Sequence, residues 1–112
     1  MIRPFRAYRP RPERAREVAS VPYDVVSSEE ARALARGNPV SFLHVCKHEI
    51  DLDPAVSLYD DRVYAKGREN LRRLIADEIL VRDAAPSLYV YQQRMGSHVQ
   101  AGLVALCSVR EY

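Results

Sequence analysis

The stretch "LYDDRVYAKGRENLRRLIADEI", residues 58–79, decides how the rest of the chain is read. Val63, Gly67, Leu71, Leu74, Ile75 and Ile79 recur at helical spacing. Arg62, Lys66, Glu69, Arg72, Arg73 and Asp77 fall elsewhere around the helix. That pattern predicts a long amphipathic helix with one buried face. Asp60 and Asp61 open it, where the helix dipole favours negative charge. Gly67 lies inside the apolar stripe, at a cost of about 1 kcal/mol relative to alanine. Its presence there predicts the close approach of another backbone.

A second helix stands upstream. Ser27 or Ser28 caps it, and Ser27 followed by Glu30 fits a capping box. Ala31, Leu34 and Ala35 supply a modest apolar face, and Gly37-Asn38-Pro39 ends the helix. Between the helices, Ser41 to Cys46 reads as a buried strand, and His48 to Pro54 as a polar, acidic loop. Ile2 to Tyr8 reads as a short edge strand, because Pro4 cannot donate to a ladder. Pro12 suits the first position of a short helix ending near Val18. Ser20 to Asp24 is extended, since Val21 precedes a proline.

Downstream, Leu80 to Pro86 reads as a connector. Leu88 to Gln93 and Val99 to Val109 are strands of a hairpin that turns at Gly96. The order strand, helix, strand, helix, strand, strand predicts an α+β (or α/β) fold. We expect a small mixed sheet of about four strands, two main helices packed on one face, and a closing β-hairpin.

The chain has 112 residues, which fits a single domain over 1–112. Seventeen Lys+Arg against fifteen Asp+Glu give a net charge of +2, too balanced to imply nucleic acid. No apolar run reaches the roughly 20 residues of a membrane span. The N-terminus lacks an apolar signal core, so the expected location is cytoplasmic. Cys46 and Cys107 sit in apolar runs without zinc spacing and are expected to be buried free thiols. Val104, Leu106 and Val109 would bury poorly in four strands. We therefore expect an N-terminal fragment of a longer protein that self-associates through an apolar sheet edge.

Asp24 is the first candidate for catalysis. It follows a proline-stiffened loop and can act as a base or hold a ligand; its plainer role is to cap the next helix. Tyr23 can stack on a ligand or pack in the core. Ser28 begins the helix, whose free N–H groups form an anion site. Arg3, Arg6 and Arg9, in a run of six arginines within the first sixteen residues, would add charge-assisted contacts to a phosphate if the first strand lies alongside. Glu29 and Glu30 argue against phosphate there. His44 is expected to be hydrogen-bonded, and the His48, Glu49, Asp51, Asp53 cluster to be solvated. No metal set is read. No GxGxxG, Walker or GxSxG sequence is present, so no cofactor is named.

Five segments in order carry a resemblance: "RPFRAYRP" at 3–10, "VPYDVVSSEEARALARGNPVSFLHV" at 21–45, "EIDLD" at 49–53, "VYAKGRENLRRLIADEILVRD" at 63–83 and "SLYVYQQRMGSHVQAGLVALCSV" at 87–109. The chain resembles the N-terminal portion of a bacterial and archaeal family known as domain of unknown function 1015. Many members have Pro-Pro-Tyr-Asp where this chain has Val21-Pro22-Tyr23-Asp24. The resemblance implies a longer parent with a charged histidine-glutamate segment, and any site needing that segment would be incomplete here. It also implies companionship with serine-biosynthesis enzymes and a distant likeness to the nucleotide-using fold of partition proteins and sulfiredoxin. Two functions follow as expectations. One is a protein that binds or acts on a small phosphorylated or amino-acid-like metabolite. The alternative is a non-catalytic module that pairs through an exposed sheet edge.

Overall fold

A computed structural model describes residues 1–110. The chain divides into two compact units, Met1–Arg9 with Arg82–Tyr112, and Pro10–Val81. Among the described residues no helix is long and apolar enough to cross a membrane.

The second unit holds the helices. Pro12–Arg14 makes a 3-10 turn with Pro12 at its start, continued by α1 (Ala15–Val18). After a 3-10 turn at Tyr23–Val25 comes α2 (Ser28–Ala35), then α3 (Leu43–Cys46), a 3-10 turn at His48–Asp51, and α4 (Asp61–Ala76). Asp60 caps α4, accepting from the Arg62 N–H. The buried positions of α4 are Val63, Gly67, Asn70 and Leu74, which keeps the predicted face but adds a polar residue to it. The helix stops short of Ile79 because Glu78 turns left-handed, φ 58°. The Ile79 N–H then reaches back to the Leu74 carbonyl at 2.9 Å, closing the helix end. That reversal carries Ile79 and Leu80 into a core with Val18 and Leu74.

Residues 41–46 are not a strand. A short apolar run fits helix or strand equally, and packing decides. The Cys46 N–H bonds the Phe42 carbonyl at 3.0 Å, and the Lys47 N–H bonds the Leu43 carbonyl at 2.9 Å. As a helix the run faces two ways. Leu43 packs with Ala31 and Ala35 of α2, while Phe42 and Val45 pack on the Val18–Leu74 cluster. A strand would have sent Leu43 to one side and its neighbours to the other at a single sheet, which the unit does not contain.

The first unit is built from strands. Pro4 interrupts the predicted first strand, leaving β1 (Ile2–Arg3) and β2 (Tyr8–Pro10). The connector contains β3 (Leu80–Arg82), and the chain crosses between units within β2 and within β3. β4 (Tyr89–Met95) and β5 (His98–Val104) form the predicted antiparallel hairpin, with Gly96 at φ 60° in its turn. The expected second strand breaks at Ala105. Its last part, β6 (Leu106–Cys107), pairs with β1, Ile2 opposite Cys107. Among the described residues the strands join in twos, and the expected four-stranded sheet does not form. The helices pack on one another rather than on a sheet face, and both apolar clusters lie within Pro10–Val81. Cys46 and Cys107 are free, as expected, but Cys46 is half-buried and Cys107 exposed, where burial was expected of both.

Candidate functional site

The capping box forms as the sequence predicts. The Glu30 N–H donates to Ser27 Oγ at 3.1 Å, and the Ser27 N–H donates to Glu30 Oε1 at 3.2 Å. With Ser27 holding the cap, Ser28 is free for other use. Its hydroxyl donates to Glu49 Oε1 at 3.0 Å. One turn along α2, Arg32 Nη2 donates to the Glu49 carbonyl at 3.3 Å. Residues four apart share a helix face, so Ser28 and Arg32 together meet the turn at His48–Asp51. Lys47 Nζ lies 3.9 Å from Glu49 Oε1.

Beside these groups lies a groove of about 230 Å³. Arg32, Glu49 and Asp53 give it charge of both signs and Ser28 a hydroxyl; Leu52, Val56, Leu58 and Val63 give it an apolar wall. Asp53 also accepts the Ala55 N–H at 2.9 Å, which fixes its loop. In the first unit a larger hollow, about 420 Å³, lies among Met1, Arg3, Leu106, Cys107 and Ser108. Among the described residues that line it, Arg3 has the one charged side chain and none has a carboxylate, so the described lining of the smaller groove has the richer chemistry.

Of the residues singled out from sequence, Ser28 lines the groove. Tyr23 and Asp24 occupy the exposed turn ahead of α2, Tyr23 being 60% exposed. Asp24 does not cap α2, since Ser27 does, and no described hydrogen bond reaches its carboxylate. Arg3 and Arg6 belong to the other unit, and Arg6 Nε donates to the Asp83 carbonyl at 2.7 Å. Three of the six arginines pair with carboxylates: Arg9 with Asp83 at 3.0 Å, Arg11 with Glu78 at 3.3 Å, Arg14 with Glu17 at 3.1 Å.

The acidic cluster after His48 also disperses. Glu49 turns to Ser28, Asp51 to His44, and Asp53 to its own loop. No group of three or more His, Cys, Asp or Glu able to hold a metal exists among the described residues.

Two features escaped the sequence reading. The first is Asn70, fully buried on the α4 face. Its Nδ2 donates to the His44 carbonyl at 2.7 Å and to Asp51 Oδ2 at 2.8 Å, while its Oδ1 is buried with no partner. A polar residue between Gly67 and Leu74 on the apolar stripe was the available signal. His44 Nδ1 lies 2.8 Å from Asp51 Oδ2, and Nε2 lies 2.9 Å from the Asn38 carbonyl. Both ring nitrogens thus face oxygen acceptors and are used in structure, leaving none for a substrate. The second is Tyr89, whose hydroxyl lies 2.5 Å from Asp83 Oδ2 and accepts the Ala7 N–H at 3.0 Å. The Tyr89 hydroxyl, and after it Arg9, holds the Asp83 carboxyl below its ordinary pKa.

A family model described as "Protein of unknown function (DUF1015)" matches residues 2–112. No curated protein and no solved structure matches the chain.

Proposed function

The chain belongs to the DUF1015 family, and from its own residues we propose that it binds a small amino-acid-like metabolite in the groove beside α2. The observation that carries this reading is the juxtaposition of Arg32 with Glu49 and Asp53 above an apolar wall. A zwitterion needs a guanidinium for its carboxylate and a carboxylate for its ammonium, and charge-assisted bonds of both kinds are the strong ones. Ser28 adds a hydroxyl, and Leu52, Val56 and Leu58 suit a short apolar side chain. A bare phosphate is disfavoured, because Glu29 and Glu30 already occupy the first turn of α2. Asp24, exposed and without a described partner, is retained as the carboxylate for any chemistry on the ligand, with Tyr23 beside it. Two free thiols suit a reducing, cytoplasmic setting.

Thermal-shift screening of the 112-residue chain against amino acids, nucleotides and phosphorylated metabolites tests the reading. An amino acid should raise the midpoint, and Arg32→Gln should abolish the rise. A nucleotide or phosphate hit that Arg32→Gln leaves intact would overturn it.

A second reading has its own observation. The β4–β5 hairpin exposes Val90 (77%), Met95 (74%), Leu103 (60%) and Tyr91 (57%). Exposed apolar surface of this density marks an interaction site. In this reading the hairpin accepts a strand from a partner.

A further inference from the structure

Resting on that second reading, we propose that the partner is another copy of this chain, paired antiparallel through β5 about a two-fold axis at Ala101. The argument begins with the hairpin's isolation. Among the described residues β4 and β5 pair only with each other, and every residue of β5 is exposed. A two-stranded hairpin is at best marginally stable in water, and a sheet gains independence with three or more strands.

The two outer edges differ. Sheet edges left open in soluble proteins are usually blunted by Lys, Pro or other charge. β4 carries Arg94. β5, "HVQAGLV" at 98–104, carries no Lys, Arg, Asp, Glu or Pro. Charge therefore singles out β5 as the edge that tolerates its own copy.

The register agrees. Met95 and His98 face each other across the two-residue turn Gly96-Ser97, so they exchange both ladder bonds. Alternation along the ladder then turns the N–H and C=O of Val99, Ala101 and Leu103 outward. With the axis at Ala101, that residue exchanges both bonds with its own copy. Val99 of each chain faces Leu103 of the other, Gln100 faces Gly102, and His98 faces Val104. Aliphatic groups meet aliphatic groups, and the smallest side chain of that outward trio sits on the axis. The same operation on β4, centred at Gln92, would set Arg94 against Val90. The β5 pairing yields a continuous four-stranded sheet in the order β4, β5, β5, β4.

Sedimentation of the 112-residue chain tests the proposal. We expect a species of twice the 12.8 kDa chain mass at micromolar concentration. Ala101→Pro should return it to monomer and leave the hairpin intact, because the lost N–H points away from β4 and proline is tolerated on a free edge. Val99→Lys should do the same by adding a charge to the edge. A wild-type monomer, or a dimer that survives both substitutions, overturns the proposal. A synthetic heterologous strand peptide separates this failure from that of the parent reading. A monomer that takes up the peptide, and loses it in Ala101→Pro, overturns self-pairing and leaves strand pairing standing. A monomer that takes up none ends both.

Discussion

The imidazole of His48 stands where a Cβ on Gly67 would be, its Cγ and Nδ1 2.9 Å from that position. The ring is held there, since Nδ1 donates to the Val45 carbonyl at 2.7 Å. Glycine in α4 is thus explained by a side chain, where the sequence reading expected a backbone. The consequence is measurable. Gly67→Ala should destabilise the chain by about 1–3 kcal/mol through overpacking, although helix propensity alone would favour alanine by about 1 kcal/mol. In a His48→Ala background the sign should reverse. Urea denaturation of the four variants reads both, and a stabilising Gly67→Ala in the native background would refute the contact.

Asn70 ties α4 to the turn below it. Asn70→Ala would take one donor from the Asp51 carboxylate, which keeps His44, and would remove the donor that Asn70 gives the His44 carbonyl, a loss worth about 1–3 kcal/mol for a buried acceptor. Asn70→Asp should be worse, since it sets a second carboxylate within hydrogen-bond distance of Asp51. Equal stability of Asn70→Ala and wild type in chemical denaturation would show the network to be idle.

Acid should loosen two places in a defined order of causes. Arg62, through its side chain and then its backbone N–H, draws the Asp60 pKa from 3.8 down to about 2. Tyr89 and Arg9 lower that of Asp83. A depressed carboxyl contributes stability above its unfolded pKa and loses it as the pH falls through the folded value. The start of α4 should therefore hold at pH 4 and fray toward pH 2, and Asp60→Asn should abolish that step. Carboxyl carbon NMR reads Asp60 directly. A midpoint near 4 would contradict the Arg62 pairing.

What the sequence made legible was local. The Ser27–Glu30 box, Pro12 at its turn, the body of α4 and the Gly96 hairpin each depend on residues a few positions apart. What it hid depends on distance along the chain. Ser41–Cys46 became a helix because Leu43 and Phe42 answer to different clusters, which no window of six residues reveals. The Tyr89 contact to Ala7 spans 82 positions. The candidate site divides the same way. Ser28 was legible from the cap, whereas its partner Glu49 lies 21 residues on and Arg32, half-buried in the structure, lies off the apolar face of α2 that the sequence marks. Arg3, Arg6 and Arg9 fall in a different unit from Ser28, a division that local sequence does not reveal.

The most direct measurement of the central claim is amide chemical-shift mapping of the chain during titration with α-amino acids. Saturable shifts should appear at Ser28, Arg32, Glu49 and Asp53, and vanish in Arg32→Gln. Shifts confined to Arg3, Arg6 and Leu106, or a spectrum unmoved at millimolar ligand, would contradict a zwitterion site beside α2.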